Sequence, residues 1–197
     1  MVIDFPNIKI ASSEFGLSYN TTTFSSPYSQ STQIMRLPGE RWMATYNFPP
    51  MNQAQFAALK VFLMQLQGGT VLFNGFDPDK KTPSGFATGI PLVDGANQTG
   101  KTLLTKGWTH SVTGILKAGD YIQFATQLRL DMADANSDPS GKATLTLDSP
   151  LRFSPADNTS IITTQASCPM RITSNLQWSS DNNKIVNGFS ITAIEAF

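Results

Sequence analysis

The sequence predicts a mainly β protein with one amphipathic α-helix. Three observations carry this prediction. Uncharged polar residues are abundant: 21 Thr, 19 Ser, 12 Asn and 11 Gln make 63 of 197 residues, while charged residues make only 14%, against about 25% in a typical soluble domain. Apolar residues recur with a period of two over much of the chain and with helical spacing in one segment only. Clusters of Gly, Pro, Asp and Asn cut the remainder into short runs of strand-forming residues. With 40% hydrophobic and 10% aromatic residues, the chain has enough apolar surface to build a core.

Residues 7–48 are predicted as β-structure. Ile8, Ile10 and Ser12 alternate with Lys9, Ala11 and Ser13, and Phe15, Leu17 and Tyr19 continue on one parity. The clearest strand is Arg41–Phe48, with Trp42, Ala44, Tyr46 and Phe48 on one face and Arg41, Thr45 and Asn47 on the other. Leu37-Pro38-Gly39-Glu40 fits a type II turn, because Pro presets φ at the first central position and Gly supplies positive φ at the second. Gln33–Leu37 and Glu40–Phe48 are therefore expected to pair as a hairpin.

The helix is expected to begin after Asn52. Asn52 is a good N-cap, Gln55 stands where a capping box needs it, and Met51 with Phe56 forms a staple pair. Pro49 and Pro50 prevent an earlier start. Phe56, Leu59, Phe62, Leu63 and Leu66 recur on one face, and Gly68-Gly69 offers a left-handed end. This face is expected to lie on the neighbouring sheet. The polar face, with Gln and a single Lys, lacks the basic stripe of a membrane-surface helix.

Asp77 to Gly85 contains two Pro and a Gly and is predicted as a linker at a domain boundary. Short strands are predicted at Ile90–Val93, Thr102–Leu104, Tyr121–Ala125, Leu128–Met132, Ala143–Leu147 and Ser160–Thr164. Their number and spacing fit a small barrel or sandwich. A last strand is predicted from Ile185 to Phe197, with Phe189, Ile191, Ala193 and Phe197 on one parity; its pairing partner is not legible.

Composition excludes several functions. A net charge of +0 and a pI near 6.6 oppose a nucleic-acid binder, which needs a basic footprint. One Cys (Cys168) and one His (His110) leave no disulfide framework, no Cys/His zinc site and no His-based catalytic set. Cys168 is expected to be a small buried or domain-junction residue, and His110 a surface or strand-end residue. Met1-Val2-Ile3-Asp4 lacks the basic and apolar regions of a signal peptide, and no apolar run reaches membrane-spanning length, so synthesis in the cytoplasm is expected.

Two motifs imitate binding sites. Gly95-Ala96-Asn97-Gln98-Thr99-Gly100-Lys101-Thr102 matches the P-loop pattern, in which backbone N–H groups cradle phosphates. Gly107 follows too soon after Thr102 for the required helix, so a glycine turn between strands is expected. Asp134-Ala135-Asn136-Ser137-Asp138 matches the first ligands of a calcium loop, but Pro139 and Leu145 stand where Gly and Glu are needed; an exposed hairpin tip is expected. Trp108, Tyr121 and Phe124 could stack bases on a small barrel, but the region is acidic on balance. No catalytic residue, cofactor or metal is expected.

The order of motifs resembles the distal tail proteins of long-tailed phages and gene-transfer agents. The resemblance rests on Pro38-Gly39-Glu40-Arg41-Trp42, Phe48-Pro49-Pro50-Met51, Phe62-Leu63 through Leu66 with Gly68-Gly69, and Asp77-Pro78 with Pro83-Ser84-Gly85. It continues through Val93-Asp94-Gly95-Ala96, Gln98-Thr99-Gly100, Gly107-Trp108, Leu116 to Tyr121 and Pro150-Leu151-Arg152. It covers nearly the whole chain. Phe124-Ala125-Thr126 departs from it, since members often carry a Gly there.

The resemblance implies a β-sandwich ring domain with one helix, made of residues 1–82 and 169–197, and an inserted OB-like β-barrel of residues 83–168. It implies a structural, non-enzymatic virion protein at the distal end of the tail. Six copies would form a ring joining the tail tube protein to the hub, baseplate or central fibre proteins, with the genome passing through the lumen without sequence-specific binding. Neither membrane insertion nor a cofactor is implied. The segment around Pro38-Gly39 holds more apolar residues than one sheet face needs, so Met35, Leu37, Trp42 and Met43 are the candidate subunit-interface residues. The alternative is a receptor- or saccharide-binding tail module that contacts the host through Trp108 and His110.

Overall fold

In a computed structural model, which describes residues 1–197, the chain divides into two units. The first comprises Met1–Gly75 and Pro169–Phe197, and the second Phe76–Cys168. In chain order the elements begin with β1 (Val2–Asp4), β2 (Ser12–Ser18), β3 (Thr21–Ser25), β4 (Thr32–Arg36), β5 (Arg41–Phe48), β6 (Met51–Asn52), α1 (Gln53–Gln65) and β7 (Leu72–Phe76). They continue with β8 (Gly89–Val93), β9 (Thr102–Trp108), β10 (Tyr121–Phe124), β11 (Gln127–Leu130), β12 (Ala143–Thr146) and β13 (Ile161–Ile162). The last are β14 (Ser167–Ile172), β15 (Ile185–Val186) and β16 (Phe189–Glu195). The protein is thus mainly β with one α-helix.

The first unit is built on a six-stranded sheet of order β1-β7-β14-β16-β5-β2. Along β5 the predicted alternation holds: Trp42, Ala44, Tyr46 and Phe48 are buried, while Met43 is exposed. The closing strand β16 fills the centre of the sheet, antiparallel to β5 on one side and to β14 on the other. Its Ile191, Ala193 and Glu195 are buried, whereas Phe197 is 64% exposed and lies beyond the strand. Helix α1 covers the inner face. Phe62 meets Phe73 edge-on at 5.6 Å, Phe56 meets Phe189 at 6.0 Å, and Phe5 lies between Phe62 and Tyr46. One large sheet backed by a helix takes the place of the expected two-sheet sandwich.

The capping box forms as predicted: Asn52 Oδ1 accepts from Gln55 N–H at 2.9 Å, and Gln55 Oε1 accepts from Asn52 N–H at 3.1 Å. The helix ends one residue earlier than the glycines require. Gln67 already takes φ 46°, and Gly68 and Gly69 extend the left-handed turn at 65° and 97°.

The expected hairpin between Gln33–Leu37 and Glu40–Phe48 does not form. β4 pairs with β3 in register Thr21↔Arg36 to Ser25↔Thr32, and β5 pairs with β2 and β16. Gly39 does take the positive φ (108°) that the turn motif demands, but the turn is a corner leading from one sheet into another. The strand edge that β4 would need on β5 is taken by β2, from Ser12↔Asn47 to Ser18↔Arg41.

The second unit consists of two three-stranded antiparallel sheets, β11-β10-β13 and β12-β9-β8. They do not form the expected closed barrel. Their edges meet at the isolated bridges Leu92↔Ser160 and Asp131↔Leu147, with backbone hydrogen bonds such as Asn158 N–H to Val93 O (3.1 Å) and Met132 N–H to Thr146 O (2.7 Å) but no continuous ladder. Inward residues of both sheets, including Leu103, Ile122, Phe124, Leu145 and Ile161, build one core with Trp108. The stretch from Asp77 belongs to this unit and is not a free linker. Asp77 caps a short 3₁₀ turn, and the Ser84 and Gly85 N–H groups donate to the buried Asp120 carboxylate at 2.7 and 3.0 Å. The boundary consequently falls at Gly75, ahead of residue 82.

Candidate assembly surface

The segment from Tyr19 to Gln33 holds no charged residue and no turn-breaking Gly. Its Thr-rich runs flank Ser26-Pro27-Tyr28-Ser29-Gln30-Ser31, and this folds the segment back as the β3–β4 pair. The loop is held by Ser26 N–H to Ser31 O and by Gln30 N–H to Ser26 O, both 2.9 Å, with Gln30 at φ 52°. At its base, Leu37 N–H donates to Asn20 O at 2.8 Å and Asn20 Nδ2 to Pro38 O at 3.0 Å. Arg36 lies over the Tyr19 ring at 4.8 Å and 3.6 Å from Glu40, which is itself buried.

This ribbon has no third strand and carries exposed apolar side chains on both of its otherwise polar faces. The register places Phe24 and Met35 on one face and Ile34 on the other. Their exposures are 56%, 49% and 72%, and Tyr28 at the tip is 98% exposed. A two-stranded ribbon is marginal alone in water, and native edge strands are normally blunted by Lys, Pro, bulges or a cover. Nothing within the strands Thr21–Ser25 and Thr32–Arg36 does this except Arg36 at the end.

Of the candidate interface residues, Met35 and Met43 are exposed and Leu37 is half-buried at the ribbon base. Trp42 is a correction. It is only 4% exposed and stacks on Phe15 at 5.3 Å, because even positions of β5 face the core. Met43 points to the other face of the six-stranded sheet, beside a shallow depression of about 350 Å³ that opens where Gly16 has no side chain. Phe24, Tyr28 and Ile34 were not singled out by sequence. Their signal was the unbroken Thr/Ser/aromatic run without a charge.

In the second unit, Trp108 is buried, donating Nε1–H to Thr105 Oγ1 at 2.7 Å, while the Thr105 hydroxyl donates to Ala143 O at 2.8 Å. It therefore cannot present its ring to a glycan or a base; Phe124 is equally buried, and only His110, after the end of β9, is exposed. Cys168 is buried.

The P-loop-like segment links antiparallel β8 and β9, and Thr102 opens a strand. Gln98 clamps it, donating to Asp94 O and Gly95 O and accepting from Leu104 N–H at 2.7 Å. Asp157 already takes the Gly95 N–H at 2.8 Å. A phosphate here would meet a carboxylate where it needs a donor. The surrounding charges neutralise one another: Lys106 pairs with Asp157 (2.8 Å) and Asp94 (3.6 Å), and Lys142 with Asp94 (2.7 Å). Lys142 holds the Asp94 carboxyl, and Lys106 that of Asp157, below the ordinary value.

The calcium-like segment is likewise committed elsewhere. Asp134 accepts from Lys117 Nζ and Ala118 N–H, Asn136 from Gly114 N–H, and Asp138 from the Ser140 and Lys142 N–H groups. Only Asp138–Lys142 is an exposed turn. Ala135 and Ser137 are buried, the former in a bridge to Leu116.

No family model matches this chain, and no curated protein matches it. No helix is long and apolar enough to cross a membrane.

Proposed function

We propose that this chain is an architectural subunit that assembles with copies of itself into a six-fold ring at the distal end of a long-tailed phage tail. The first unit would form the ring, between the tail tube and the hub or baseplate proteins, with the genome passing through the lumen. The second unit would be the OB-like domain; two three-stranded sheets bridged at both edges support that reading without a closed barrel. The observation that carries the proposal is the β3–β4 ribbon, with apolar side chains on both faces and unprotected edges, which calls for cover by another chain. The host-binding alternative loses its main contact with the burial of Trp108.

Charging the ribbon tests the proposal. Phe24→Lys with Ile34→Asp alters two side chains that the folded subunit leaves exposed, so circular dichroism should be unchanged. Each charge would meet an apolar contact at a cost of several kcal/mol, repeated at every joint of a closed ring. Light scattering and electron microscopy should therefore show rings for the natural chain and monomers for the variant. Equal assembly of the two proteins would remove the ribbon as the subunit contact.

A further inference from the structure

The first unit carries a second exposed surface with apolar walls, at the opposite end of the β2–β5 pair from the ribbon. Pro49 and Pro50, Ile8, and Ala54 and Ala58 of α1 wall a groove of about 540 Å³, whose polar lining is Asn7, Lys9 and Gln55. Beyond it the outer face of α1, polar at Gln53, Lys60 and Gln65, also exposes Val61 (58%) and Met64 (51%). The helix covers the β7 and β16 part of the sheet through Phe62–Phe73 and Phe56–Phe189. The groove lies where β5 ends beside the start of β2 (Ser12↔Asn47), whereas the ribbon leaves the other end of the same pair (Ser18↔Arg41). Two different surfaces at opposite strand ends of one sheet are what a head-to-tail contact needs, since a ring joins unlike patches of successive copies.

We infer that the ribbon tip, with Tyr28 as its anchor, seats in the Pro49–Ala58 groove of a second copy of this chain; the inference rests on the assembly reading above. An aromatic ring against Pro and Ala walls, with its hydroxyl toward the polar lining, is the usual form of an interface anchor. Tyr28 is 98% exposed, so its own subunit makes no use of it. No charge stands between Tyr19 and Met35, so the ribbon brings no ion into the contact, and the groove's one charged residue, Lys9, is exposed, which leaves its ammonium in water. A fully exposed aromatic offers roughly 150–250 Å². Tyr28, Phe24, Ile34 and Met35 together bring roughly 400 Å², about half of the ~800 Å² that one partner contributes to a stable interface. The Thr- and Ser-lined backbone of the ribbon supplies the remainder.

The full chain tests this directly, because its one native thiol, Cys168, is buried. Tyr28→Cys and Ala58→Cys are made as separate proteins, mixed and exposed to a mild oxidant. The expected result is a disulfide-linked dimer in the mixture that neither protein gives alone. Light scattering should show Tyr28→Ala weakening self-association at least about tenfold, with Tyr28→Phe close to the natural chain. A Tyr28→Cys homodimer would mean that tips meet tips, and overturns the inference. So does a disulfide within one chain of the double variant at monomer mass, which would mean that the tip folds onto its own groove. Assembly of Tyr28→Ala equal to the natural chain overturns this inference and leaves the ring standing. A natural chain that stays monomeric at every concentration overturns both and gives the groove to another protein.

Discussion

Asp131 is wholly buried at the isolated bridge to Leu147 that joins one edge of the two sheets in the second unit. One carboxylate oxygen accepts from Thr146 N–H at 3.2 Å, and the other has no hydrogen-bond partner. Burial pushes its pKa up to about 6, against the pull of the Thr146, Ala133 and Met132 N–H groups, and the Asp120 carboxylate adds to the rise. Asp120 behaves oppositely. Burial works against its charge, yet the Ser84, Lys117 and Gly85 N–H groups and the Lys80 ammonium keep its pKa below the ordinary value. Because Asp131 binds its proton more tightly when folded, its contribution to stability is full below 3.8 and is lost as the pH rises through about 6. The Asp120 contribution is present above the ordinary value and is lost only at lower pH. Asp131→Asn is thus expected to raise the stability of this unit at pH 7 by ~1–3 kcal/mol and to remove the decline between pH 4 and 6. Urea unfolding at pH 4.5 and 7 would measure it; equal gains at both values would show that the ionised carboxylate is not the cause. Nothing in its local sequence sets this group apart from any other aspartate in a polar strand.

At the scale of elements, local chemistry predicted well wherever it involves only near neighbours. The α1 capping box, the positive φ at Gly39 and the alternation in β5 are all set by residues within four positions of one another. Ala125 shows the same logic in a residue that departs from its motif. It takes φ 50° in the turn between Phe124 and Gln127, a conformation that glycine enters without steric cost. Ala125→Gly is expected to stabilise the second unit by about 0.5–1 kcal/mol, the left-handed penalty less the entropy glycine loses on folding. A higher midpoint of thermal unfolding would register the gain, and a lower one would show the turn to be unstrained. Local chemistry failed for the Pro38-Gly39 turn, because a turn motif specifies how the chain bends and not which strand waits beside it. β2, from over twenty residues upstream, took the edge of β5.

For the whole molecule, the chain leaves the first unit at Gly75 and returns at Pro169. The second unit has its own core around Trp108, Phe124 and Leu145 and its own polar ties through Asp120, Asp131 and Ser137. Residues 76–168 are therefore expected to fold alone, with a cooperative unfolding transition and the buried tryptophan's fluorescence. A protein of that span that binds a hydrophobic dye and melts without a transition would show that the core depends on the flanking segments.

Composition and periodicity alone settled that the chain is mainly β, that one helix starts after Asn52, which faces of β5 and β16 are apolar, and that the Gly95–Thr102 motif lacks the helix it needs. Each of these depends on backbone propensity and side-chain spacing, which travel with the local sequence. The central place of β16, the pairing of β4 with β3, the burial of Trp108 and the bridging of the two sheets at isolated points were settled only by folding. So was the exposure of Phe24, Tyr28 and Ile34 on a ribbon without a cover. These are matters of which distant segments compete for the same edge or the same core. An aromatic in a strand has the same local signature whether a neighbour buries it or solvent meets it, and only the completed set of long-range contacts separates the two.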